Sequence, residues 1–159
     1  MKLPALLLLS DYKGVFKDFF EAVYLIFVRD FVNSKPLYRG KVLRLKSHPF
    51  IDGKEYTFYH FTHDGIIEEE RLPNIRRMER ITWPRPMIDN STDSDLKVWE
   101  NKRGNKTRIL VLHEKESYLV ILEKRKKYIL PWTAYLVDYP NRKKRLLKEY
   151  EGYLKTKTA

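Results

Sequence analysis

The stretch EYTFYHFTHDGIIEEER, residues 55–71, gathers groups that can move protons or hold anions. His60 and His63 lie three residues apart, and the acidic run Glu68, Glu69, Glu70 is closed by Arg71. Imidazole changes charge near neutral pH, so His60 suits general acid–base work. The same position also suits a half-buried histidine satisfied by one hydrogen bond. Arg71 reads either as part of a solvated patch or as a phosphate-receiving guanidinium steered by Glu68. Its two-pronged donor set matches phosphate geometry. A second candidate set is PWTAYLV, 131–137. Strand alternation places Thr133 and Tyr135 on one face, with Trp132, Ala134 and Leu136 on the other. Paired hydroxyls of this kind hold phosphate oxygens or bond across strands.

The remaining histidines carry less. His63 adjoins the Asp-Gly turn and is expected to face solvent, His48 precedes Pro49 in a loop, and His113 ends a strand. Cysteine is absent, which excludes disulfides, zinc-thiolate sites and cysteine nucleophiles. Asp89, Asp93, Asp95 and Glu100 approach calcium-loop spacing. Ser94 stands where that loop turns on glycine, and WPRP replaces the entering helix. No glycine-rich phosphate loop and no His-Glu-x-x-His pair occurs, so neither metal nor cofactor is expected.

Lysine and arginine number 32 against 21 acidic residues, a net charge of +11. The cations cluster in IRRMER, ENKRGNKTR, EKRKK and NRKKRLLK, with aromatics between them. Such a pattern tracks a phosphate backbone and stacks bases. Arg76, Arg77, Arg108, Arg142, Lys143 and Trp132 are the candidate RNA contacts.

The elements that must position these groups follow from periodicity. The length of 159 residues suggests one domain. Phe19, Phe20, Val23, Ile26, Phe27 and Phe31 make one apolar helical face over 17–32, ended by SKP. Residues 41–47 and 56–62 read as a strand and its return strand. A short helix over 72–83 opens near Pro73 and carries Arg76, Arg77 and Arg80, and 84–95 reads as a polar loop. Then come four strands, LKVWENK, TRILVLH, SYLVILEKR and YILPWTAYLVD, joined by the tight connections RGN, EKE and KK. A basic helix over 140–157 closes the chain, its packed stripe Leu146, Leu147, Tyr150, Tyr153 and Leu154. The class is α+β, with N-terminal helices packed on an antiparallel meander and a C-terminal basic helix. MKLPALLLLSDYKG reads as a packed segment rather than a signal peptide, and no run reaches membrane-span length. A reducing, cytoplasmic setting fits these features.

A histidine after N-terminal helical structure, an arginine soon after, and a meander whose last strand carries Thr-x-Tyr resemble the BECR superfamily of metal-independent ribonucleases and toxins. Barnase, EndoU, colicin-type tRNases and RelE belong to it. YLVILEKRKKYILPWTAYLVDYPNRKKRLLKEYEGY looks most like the phage- and prophage-associated branch, and the likeness runs over about 15–155. The resemblance implies helices against a curved antiparallel sheet, with the active site in its concavity. It implies RNA cleavage by 2′-hydroxyl attack, leaving a 2′,3′-cyclic phosphate, with no cofactor. His60 would transfer the proton, and Arg71, with Arg108, would hold the phosphate. Thr133 and Tyr135 would bind its oxygens or the base. Partners would be RNA, tRNA among the candidates, and an antitoxin or immunity protein. The barnase order of glutamate, arginine, histidine is absent, and the C-terminal helix exceeds the minimal family fold. One alternative is a non-catalytic nucleic-acid-binding phage accessory protein, in which His60 is structural. Another is an interaction protein that docks through PALLLL.

Overall fold

Four runs of β-branched and aliphatic residues with two- to four-residue connections build one antiparallel sheet. Its strands are β5 (Leu96–Arg103), β6 (Lys106–His113), β7 (Tyr118–Lys124) and β8 (Ile129–Leu136), in the order β5-β6-β7-β8. The computed structural model describes residues 1–158. Both faces of the sheet are covered, which is why β7 reads as an almost unbroken apolar run. One face, with Ile109, Val111, Val120, Leu122 and Ala134, joins the main core. The other, with Trp99, Leu110, Leu112, Leu119 and Ile121, forms a second cluster.

The main core is filled from the N-terminal half. Helix α1 (Phe16–Phe27) runs on through a wider π turn, Val28–Val32. It buries Phe19, Val23, Phe27 and Phe31, the face its spacing defines. Leu3, Leu6, Leu7 and Leu9 pack on the same core, and Trp83 Nε1 donates to the Pro4 carbonyl at 2.7 Å. Two short pairs, β1 (Leu37–Tyr38) with β2 (Lys41–Val42) and β3 (His63–Asp64) with β4 (Leu72–Pro73), flank it. Helix α3 (Ile75–Glu79) starts at Asn74, whose side chain accepts from Arg77 N, one residue beyond the expected Pro73. Helix α5 (Pro140–Thr158) lies on the second face through Leu146, with Leu147, Tyr150 and Tyr153 beside it. Leu154, expected in that stripe, is 42% exposed. The architecture is α+β, as the spacing predicts. No helix among the described residues is long and apolar enough to cross a membrane.

Two segments depart from expectation. Residues 56–62 form helix α2 (Tyr56–Thr62) rather than a return strand. Their β-rich composition favours a strand, but burial overrides it. Six of the seven residues are buried, with Phe58 and Phe61 in the main core and His60 on another side. The 41–47 strand that would pair with it ends at Val42; Leu43 N then bonds Pro36 O, and Arg44 N bonds Ile129 O at 3.0 Å. Residues 84–89, expected as loop, form helix α4 (Pro84–Asp89), because proline at the first helical position forfeits no hydrogen bond.

Phe58 is 1% exposed, with ring contacts to Phe20, Tyr24 and Phe27 at 5.5, 5.0 and 5.2 Å. Phe58→Ala is expected to lower unfolding free energy by about 3–5 kcal/mol, read from urea midpoints. A loss below about 1 kcal/mol would mean that α2 does not anchor this core.

Candidate functional site

Helix α2 presents Phe58 and Phe61 to the core and turns Tyr56 and His60 toward β8. The His60 ring lies 4.4 Å from the Tyr56 ring and 5.3 Å from Trp132. Trp132 reaches it because the β7–β8 register shifts: Ile121 pairs with Thr133, but Leu122 pairs with Pro131. Trp132 is the extra residue of a bulge, which re-aims a side chain and interrupts alternation. It therefore packs in the second cluster with Tyr135, whereas Ala134 and Leu136 stay in the main core. The expectation that Trp132 shares a face with Ala134 fails for this reason.

Thr133 and Arg77 fix the helix to the strand. Thr133 Oγ1 donates to the His60 carbonyl at 3.0 Å. One Arg77 nitrogen donates to the same carbonyl at 2.9 Å, to His63 O at 3.0 Å and to Thr133 Oγ1 at 3.3 Å. Thr62 O accepts from Asn74 N at 2.8 Å. These bonds satisfy carbonyls that the C-terminus of a helix leaves open. Thr133 thus positions His60, and its hydroxyl is already engaged. Burial is the main force lowering the Arg77 pKa, and its guanidinium lies 5.2 Å from the Tyr135 ring.

His60 is 5% exposed, and its pKa falls from 6.5 to about 4. Burial is the chief cause; Arg71, Lys46, Arg77 and Arg108 add repulsion, in that order. The imidazole is therefore neutral at neutral pH. Its 3.2 Å contact to Glu68 Oε1 is a hydrogen bond from Nε2–H rather than an ion pair. That tautomer leaves Nδ1 unprotonated, and no hydrogen bond engages it among the described residues. Glu68 was expected to steer Arg71; it bonds His60 instead. Arg71 forms no ion pair among the described residues, and its Nε is buried without a partner.

The other candidates divide. Arg108 lies 5.8 Å from the Trp132 ring, its pKa lowered chiefly by burial. Arg142 donates to Tyr135 Oη at 3.0 Å. Arg76, Arg77, Tyr135 and Arg142 line a cavity of about 330 Å³. Arg76 is also paired with Asp138 at 2.7 Å. Lys143 bonds Ser117 Oγ at 2.8 Å and does not line this cavity. His63, expected to face solvent, is half-buried and stacks on Tyr59 at 4.4 Å. Lys46 and Lys106 were not foreseen: each ammonium lies 5.7 Å from the Trp132 ring. Lys46 arrives on irregular chain, so strand periodicity carried no signal for it. Asp89 accepts from Leu37 N and Arg85, and Asp93 and Asp95 pair with the Met1 amine. No cluster of metal-ligating residues occurs among the described residues. No family model, curated protein or solved structure matches this chain.

The depressed His60 pKa sets a pH dependence. Between pH 6.5 and about 4 the unfolded imidazole binds a proton that the native one refuses. Stability is then complete above pH 6.5 and declines as pH falls through that window, by roughly 3 kcal/mol. His63 is shifted the same way by burial. His60→Gln should flatten the fall measured by urea unfolding at about pH 7 and about pH 4.5. An unchanged slope in the variant would refute a neutral His60.

Proposed function

We propose that the protein is a metal-independent endoribonuclease of the BECR type. The single observation behind this is an imidazole packed on an indole, its Nδ1 without a partner among the described residues, with four cations near enough to disfavour its charged form. RNA carries its own nucleophile, so such a site needs a base and charge stabilisation but no cofactor. His60 Nδ1 takes the 2′-hydroxyl proton as the 2′-oxygen bonds to phosphorus. The P–O5′ bond breaks, the 5′-oxygen is protonated by solvent, and a 2′,3′-cyclic phosphate remains. Arg71, Arg108 and Lys46 hold the phosphate charge. That phosphate offsets the repulsion these cations exert on His60 and raises its basicity when substrate is bound. Tyr135 and Trp132 receive the base or sugar, and DNA is left intact for want of a 2′-hydroxyl.

The 5% exposure of His60 beneath Glu68 favours a second reading, a non-catalytic RNA-binding module in which His60 is structural. Labelled RNA with excess EDTA separates the two. For the enzyme, wild type should leave cyclic phosphate ends, and His60→Ala should cut the rate about 10²–10⁴-fold with RNA affinity kept. Salt-sensitive binding without cleavage by either protein would establish the module.

A further inference from the structure

We propose that a second cavity, between the β5–β6 hairpin and α5, binds a non-scissile phosphodiester of the same RNA strand; this rests on the RNA-binding reading of the His60 cleft. The cavity is about 220 Å³ and is lined by Lys102, Arg103, Arg108 and Arg142. Its one carboxylate is Glu149, whose Oε1 already accepts from Trp99 Nε1 at 2.7 Å and Asn101 Nδ2 at 2.8 Å. Four cations thus face one engaged anion. Among the described residues neither Arg103 nor Arg108 forms an ion pair, and Arg103 is the leading charge that depresses the Arg108 pKa after burial. Crowded like charges against the apolar side chains Leu110, Ile121 and Leu146 focus a positive potential that a phosphate relieves.

The position identifies the ligand as one link of a polynucleotide. Arg108 serves both this cavity and the Trp132–His60 cluster. Arg142 serves both this cavity and the Arg76–Arg77 cavity, and it holds Tyr135. The two arginines link this cavity to the Trp132–His60 cluster on one side and to the Arg76–Arg77 cavity on the other. A single strand that reaches both Arg108 and His60 passes Trp132, which lies 5.8 Å from Arg108 and supplies a stacking surface.

The three tryptophans make the test direct. Trp99 borders the cavity through Glu149, Trp132 lies against His60, and Trp83 is tied to Pro4 in the main core. Their indole N–H signals are followed by ¹⁵N–¹H NMR during titration with a single-stranded 2′-O-methyl oligonucleotide, which cannot be cleaved. Trp99 and Trp132 should shift and Trp83 should stay. In Lys102→Ala/Arg103→Ala, both exposed hairpin positions, the Trp99 shift should vanish while the Trp132 shift persists. The slope of log affinity against log salt should fall by about 0.7, one phosphate contact on a single strand. A fixed Trp99 beside a moving Trp132 would overturn the cavity assignment and leave the His60 reading standing. A moving Trp99 beside a fixed Trp132 would leave the cavity a phosphate site but overturn both the shared strand and the His60 reading. Inorganic phosphate saturating the Trp99 shift at lower concentration than the oligonucleotide would assign the cavity to free phosphate and overturn the strand proposal.

Discussion

The arrangement depends on one half-buried guanidinium. Arg77, carried by α3, donates from one nitrogen to two carbonyls at the end of α2 and to the Thr133 hydroxyl of β8. Three elements distant in sequence are thereby held at one point. A charged donor near a helix C-terminus meets the negative end of the helix dipole, and the carbonyls it reaches would otherwise lack partners. Those bonds offset part of the cost of withdrawing a cation from water, although Arg77 Nε is buried with no partner among the described residues. Their consequence is geometric: the His60 backbone is pinned, so the imidazole has one direction to face.

That direction leads onto the bulge of β8. Without the register shift, Trp132 would alternate with Thr133 and point into the main core. With it, indole, imidazole and the Tyr56 ring form one apolar wall, and Lys46, Lys106 and Arg108 approach the indole from outside. Apolar packing and surrounding cations both disfavour the charged imidazole, so a neutral histidine is the expected result. Among the described residues Arg71 and Arg103 form no ion pair with a carboxylate, a condition that an anion relieves.

Legibility differed sharply between the two halves of the chain. From 96 to 136 apolar and β-branched runs of strand length are bounded by short connections, so strands, order and antiparallel sense follow from local rules. The α1 stripe and the start of α5 at Pro140 are equally local. Residues 56–62 misled because Tyr, Phe and Thr favour strands, and only packing of Phe58 and Phe61 against α1 makes a helix there. His60, Arg71, Thr133 and Tyr135 stand out by type and order; Thr133 bonds the His60 carbonyl and the Arg71 charge acts on the imidazole, whereas Tyr135 meets this region through Arg77. The parts each plays there were not legible, since Thr133 proves to be a tether and Glu68 a partner of His60.

By itself the sequence determined the α+β class, the four-stranded meander, the basic surface and the absence of cysteine chemistry. These depend on composition and on periods of two or 3.6 residues, which neighbouring positions impose on one another. Tertiary structure alone decided which face Trp132 takes, which carboxylate meets His60, and that Lys46 and Lys106 belong to the site. A bulge moves a side chain through the sheet by inserting one residue, and pairing across some tens of residues follows from how helices and sheet pack. Neither leaves a periodic trace along the chain.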